Sequence, residues 1–195
     1  MQKTSKSNDQ GSGSRGKGSG TKRSWTQKVL LCFEGGLLIV SLFLTGSIRA
    51  EAAADSNQSE IPKDLQVIFE KVGESFEICP ELMESMAWRE SRFEPTVKSG
   101  NCYGLMQVNI KVHKDRIEKY GYTSEDMLDP EPNIIVAADY LKELFDTYGD
   151  DDPLILLYYS GAKSQIAKYK EYGFINSYVK DVLTRAADYE RKHGK

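Results

Sequence analysis

Apolar positions along the 195-residue chain fall into two regimes. In residues 29–48 they are nearly continuous, interrupted by Glu34, Ser41, Thr45, Ser47 and a few glycines. From Ile61 onward they recur three or four residues apart, the spacing of amphipathic helices, without a convincing run of alternating strands. Leu65, Ile68, Phe69 and Val72 mark a first helix after Pro62. Pro80 opens a second, because its missing N–H is no loss at a first helical position, and Leu82, Met83, Met86, Ala87 and Glu90 run along it. A turn-rich stretch, residues 95–103, leads to Gly104-Leu105-Met106-Gln107-Val108. Ile134, Ala138, Leu141, Phe145 and Tyr148 predict a helix of about four turns. Residues 154–159 predict a short buried helix opened by Asp152-Pro153, and Ile175, Val179, Val182 and Ala186 a terminal one. Residues 61–195 thus read as a compact all-α domain.

The other regime concerns delivery. Residues 1–28 are mostly Ser, Gly, Lys, Gln and Thr, too poor in apolar surface to offset their ordering entropy, and read as a disordered basic tail. The apolar run at 29–48 has about the length that spans a bilayer core. Basic residues precede it, which keeps the N-terminus in the cytoplasm and exports the chain beyond Ile48. Ala50, Ala52, Ala53 and Ala54 resemble a signal-peptidase site, so the segment is a signal-peptide core or a transmembrane anchor, with 49–60 as a linker. On either reading residues 61–195 work outside the cytoplasm, secreted or membrane-anchored.

Charge obeys the same division. Residues 1–54 hold eight basic and three acidic side chains, a net of +5, whereas 55–195 hold 18 and 26, a net of −8. So acidic a domain is a poor nucleic-acid binder, since such binding rests on phosphate contacts. Three cysteines and two histidines do not make a zinc site of usual spacing, and no metal or cofactor is expected. Asp150-Asp151-Asp152 lacks the spacing of a calcium loop and reads as a helix cap.

Chemistry concentrates in Ala87-Trp88-Arg89-Glu90-Ser91-Arg92-Phe93-Glu94-Pro95. Glu90 closes an apolar helix just before a Pro-containing turn, where desolvation raises a carboxyl's pKa and suits it to general-acid work. Glu94 reads as an ordinary solvated acid. Glu90-Ser91-Arg92-Phe93, then Ser99-Gly100, then Tyr103-Gly104-Leu105-Met106-Gln107-Val108-Asn109, and further on Pro132-Asn133-Ile134, Tyr158-Tyr159-Ser160-Gly161-Ala162 and Tyr178, together form a pattern that resembles the lytic transglycosylase SLT-domain family, of goose-type lysozyme-like fold. The resemblance covers roughly residues 62–190; Ser160 stands for the family's usual Asn and Ala162 for its Gly.

The resemblance implies that Glu90 is the single catalytic acid/base and that Ser91 orients it or binds nearby. Met106 and Gln107 would line a glycan groove, Gln107 contacting an N-acetyl sugar. Tyr159 would lie near Glu90, and Tyr178 would close the opposite side. The implied partner is the peptidoglycan glycan strand, cut between N-acetylmuramic acid and N-acetylglucosamine to a 1,6-anhydro product. A hydrolytic lysozyme on the same fold and a non-catalytic, membrane-anchored glycan-binding protein are the alternatives. Wall turnover and service to a cell-envelope secretion or conjugation machine are both open. Cys79 and Cys102 bracket Glu90 and form a candidate disulfide in an exported domain, two buried thiols being the alternative.

Overall fold

A computed structural model describes residues 60–195. The tail, the apolar segment 29–48 and all of the linker except Glu60 lie outside the described residues, within which no helix is long and apolar enough to cross a membrane.

Helix α1 (Lys63–Phe76) starts after Pro62 and buries Leu65, Phe69, Val72 and Gly73. A Cβ on Gly73 would lie 2.7 Å from the Ile78 carbonyl oxygen, so glycine permits the tight approach of α1 to the next helix. That helix, α2 (Pro80–Ser91), carries Pro80 at its start and buries every side chain from Glu81 to Ala87. A helix covered all round lies at the centre of a bundle. Accordingly α1 packs on α2, and so does the last helix of the chain. α2 ends abruptly, because Arg92 (φ 58°) and Phe93 (φ 63°) are both left-handed. Such a conformation costs a non-glycine residue about 1 kcal/mol or more. Phe93, 7% exposed, anchors the turn in the core.

The turn-rich stretch forms a small antiparallel sheet of β1 (Lys98–Ser99), β2 (Cys102–Tyr103) and β3 (Val108–Asn109). Ser99 pairs with Cys102, and Tyr103 with Val108. Strands of two residues carry no visible alternation, so the sequence pattern had no means of announcing them. The short helix α3 (Lys114–Lys119) and a 3-10 turn (Glu125–Leu128) come next.

α4 (Pro130–Tyr148) is the predicted long helix, packed on α1 and on α5 (Asp152–Tyr159). Asp151 caps α5 by accepting the Leu154 N–H at 3.1 Å, the role read from the Asp run. α5 buries four residues in a row, Leu154 to Leu157, each contributing about 1.5–3 kcal/mol. α6 (Lys163–Tyr172) has one buried residue, Ile166, and therefore no apolar stripe by which to predict it. α7 (Ser177–Lys192) is capped by Asn176 and lies along α2. Ile175, assigned to this helix from periodicity, precedes it and is 38% exposed.

Candidate active site

The loop from Gly104 to Gln107 is held by one buried side chain. Asn133, in the first turn of α4, accepts the Met106 N–H at 2.8 Å and donates to the carbonyls of Tyr103 and Met127, both at 2.8 Å. Gly104 sits against it at φ 78°, where a Cβ would lie 2.0 Å from the Met127 oxygen and 2.5 Å from Asn133 Nδ2. The sequence offered Asn133 only as part of Pro132-Asn133-Ile134; an amide within a buried stripe was the available sign of its use. Tyr159, at the end of α5, donates its hydroxyl to the Met106 carbonyl at 2.8 Å.

Glu90 lies in the last turn of α2, half-buried. Burial pushes its carboxyl above the ordinary range, while a hydrogen bond from Tyr178 and the nearby Arg89 charge oppose that rise. Tyr178, in the first turn of α7, donates its hydroxyl to Glu90 Oε1 at 2.6 Å. Both Tyr159 and Tyr178 have phenols raised well above their usual value, by burial first and by the Glu90 charge second. Each therefore stays a neutral donor, and the Glu90 field reaches both rings.

Met106 and Ser91 are buried, and Gln107 braces its own loop while also lining the neighbouring cleft. Met106 is fully buried, a core side chain whose backbone is clasped by Asn133 and Tyr159. Its assigned place along the groove is therefore corrected to a core position. Gln107, at φ 48°, donates its Nε2 to the carbonyls of Val97 (3.2 Å) and Gly104 (2.9 Å), closing its own loop. Ser91 is buried and donates to the Ala87 carbonyl one turn back, at 3.1 Å. Glu94 is exposed and accepts from the Thr96 hydroxyl at 2.7 Å, as the solvated reading expected.

The proposed disulfide is also corrected, because Cys79 and Cys102 are both free thiols. Cys79 caps the start of α2, whereas Cys102 feels the Glu90 charge at the other end. Eleven residues of helix separate those ends by roughly 16 Å, beyond the ~7 Å Cα separation a disulfide tolerates. Cys79 instead donates to Glu81 at 3.1 Å and lies 3.8 Å from Glu190.

A cleft of about 300 Å³ opens beside this site, lined by Cys102, Gln107, His113, Tyr140, Tyr158 and Tyr159 among others. Glu90 is not in its lining, but its charge raises the pKa of two lining groups, Tyr159 and Cys102. The rings of His113 and Tyr140 lie 4.6 Å apart, and those of Tyr140 and Tyr159 5.8 Å, forming an aromatic row that ends at Tyr159. Burial, then the Arg116 charge, lowers the pKa of His113 and favours its neutral form. Among the described residues lining the cleft none is Asp or Glu. His113 and Tyr140 escaped the sequence reading because an isolated His and a helical Tyr look like ordinary packing.

The site thus joins a carboxyl raised by burial and hydrogen-bonded by Tyr178 to a neighbouring cleft rich in aromatic rings. The chain belongs to the transglycosylase SLT domain family, whose sequence model matches residues 67–179. It is 28% identical over 114 residues to peptidoglycan transglycosylase gp16 of Escherichia phage T7, covering 57% of this chain and 9% of that protein. It is 32% identical over 114 residues to protein IpgF of Shigella flexneri, covering 53% of this chain and 74% of that one. The solved 70 kDa soluble lytic transglycosylase Slt70 of Escherichia coli superposes with a TM-score of 0.60 at 22% identity, over 69% of this chain and 25% of that chain. That likeness speaks for the fold. The chain thus spans a minor part of gp16 and of Slt70 and about three quarters of IpgF.

Proposed function

We propose that the domain is a peptidoglycan lytic transglycosylase in which Glu90 is the sole acid and base. Membership in the SLT family supports the reaction class, and the T7 relative, a peptidoglycan transglycosylase, supports the substrate. The observation that carries the reading is a carboxyl raised by burial, hydrogen-bonded by Tyr178, beside a cleft lined without a second acid among the described residues.

Neutral Glu90 donates its proton to the oxygen bridging N-acetylmuramic acid and N-acetylglucosamine, and the muramoyl C1–O bond breaks. The cation at C1 is met by the carbonyl oxygen of the sugar's own N-acetyl group, an intramolecular partner that replaces the second carboxylate of most glycosidases. The ionised Glu90 is stabilised by the Tyr178 hydroxyl until it takes the proton of the muramoyl C6 hydroxyl. O6 then bonds to C1 and displaces the acetamido oxygen, leaving a 1,6-anhydro sugar with no water consumed. We also read 29–48 as the segment that delivers this domain to the wall side of the membrane.

Digestion of purified peptidoglycan with analysis by mass spectrometry tests the reading. The expected product is lighter by one water than the muramic acid of a hydrolase digest, and Glu90→Gln abolishes its formation while keeping the native circular dichroism. A reducing, hydrated muramic end would assign a lysozyme instead. Strand binding without any product would assign a glycan-binding protein.

A further inference from the structure

On the Tyr178 side of Glu90 lies a cluster of guanidinium groups that the reaction does not use. The Arg92 guanidinium is 3.4 Å from the centroid of the Trp88 ring and that of Arg185 is 3.3 Å away. Two groups so close to one centroid cannot share a face, so the indole is clasped between them. Arg89 lies beside them, 5.7 Å over the Tyr178 ring. Asp181 pairs with Arg89 at 3.4 Å and with Arg185 at 3.6 Å. Among the described residues it is the only carboxylate in ion-pair reach of the three cations, and Arg92 has none. Burial and the positive charge of Arg89 and Arg185 lower the Arg92 pKa, the mark of crowded cations short of anions. Arg92 is exposed, and Arg89 keeps 37% of its side chain in solvent.

The placement matters as much as the charge. Tyr178, Asp181 and Arg185 succeed one another along one stripe of α7, so the patch begins at the residue that hydrogen-bonds Glu90. Residues 55–195 carry a net charge of −8, which repels an anionic polymer everywhere except at such a face. Guanidinium is also the side chain whose fork matches a carboxylate or phosphate.

We propose that Arg92, held on Trp88, and Arg89, over Tyr178, bind an oxyanion on a side branch of the glycan while Glu90 works on its sugar backbone. The oxyanion is a stem-peptide carboxylate or a phosphodiester of a wall-linked polymer. The inference rests on the glycan-cleaving reading above, and it deepens that reading by adding a second point of attachment.

The test compares the full chain with Arg92→Gln and Arg89→Gln on three substrates. These are whole walls, walls freed of phosphate polymers by hydrofluoric acid, and strands freed of stem peptides by an amidase. For a peptide carboxylate, Arg92→Gln raises KM roughly three- to ten-fold on the first two and leaves kcat and the third unchanged. For a phosphodiester, the rise appears on whole walls and on amidase-freed strands and is lost after hydrofluoric acid. Equal loss on all three substrates, or no loss on any, overturns the proposal. Co-sedimentation of the Glu90→Gln chain with the same materials, with and without Arg92→Gln, reads the site without turnover. An inactive wild type that still shows arginine-dependent binding refutes the reaction and spares the site.

Discussion

Glu84 offers a sharp test of how burial acts on this helix. It lies on α2 with 0% exposure, and neither carboxylate oxygen has a hydrogen-bond partner. Burial, then the charges of Glu81 and Glu70, against the pull of Lys195, raise its pKa from 4.5 to about 8. A folded-state pKa above the unfolded one means the native state holds the proton longer. The associated stability is therefore complete below pH 4.5 and drains away as pH climbs toward 8. At about 1.4 kcal/mol per unit, the loss between pH 5 and pH 8 reaches about 3 kcal/mol. Glu84→Gln keeps the shape and removes the ionisation, so its advantage over the wild type is small at pH 5 and about 3 kcal/mol at pH 8. For a domain of this size that is about 10 °C in Tm. Urea and thermal unfolding of both proteins at half-unit steps from pH 5 to pH 8.5 measure the difference. A gap independent of pH would refute the claim that ionisation of this group opposes folding.

Two further outcomes bear on the site. Tyr178→Phe removes the hydrogen bond that holds the Glu90 pKa down, so the carboxyl stays protonated to higher pH and the alkaline limb of kcat/KM moves upward; an unmoved limb would dissociate Tyr178 from that proton. Asn133→Ala leaves the Met106 N–H and the Tyr103 and Met127 carbonyls without their partner, at a cost of about 3 kcal/mol in chemical denaturation, and loss under 1 kcal/mol would show that the loop does not depend on it.

The long elements were legible because each has a stripe and a start signal. Pro80 opened α2, Asp151 capped α5, and Leu141 with its neighbours traced α4. α6 and the two-residue strands have neither, and they were missed. Glu90 was legible as a carboxyl at a helix end and Tyr178 as a site residue implied by the family resemblance, but the bond between them was not. The hydrogen bond from Tyr178 joins residues 88 positions apart, a closure that only the packing of α7 on α2 creates. Met106 was misplaced for a related reason, whereas Gln107 does line the cleft. Residues that shape a loop near a site stand in the same short motif as residues that face it. Which is which depends on where Asn133 and Val97 lie in space.

α2 finally shows why a raised carboxyl is not by itself a sign of catalysis. The helix carries Glu84 and Glu90 less than two turns apart, both lifted by burial. Glu84 is the more strongly shifted, yet it has no hydrogen-bond donor and no solvent path, so ionising it has no compensation and proton transfer to a ligand no route. Glu90 is half-exposed, and the Tyr178 hydroxyl stabilises the charge that appears once its proton leaves. A general acid that must also act as the base requires both properties, because the same group loses a proton and regains one in each cycle. At Glu84 desolvation is a penalty on folding. At Glu90, with a donor on one oxygen and partial exposure, the same desolvation keeps the proton in place until a base arrives, as the proposed general-acid role requires. The difference is made by α7, whose Tyr178 hydroxyl reaches Glu90 while its buried Tyr189, near enough to feel the Glu84 charge, makes no hydrogen bond to that carboxyl.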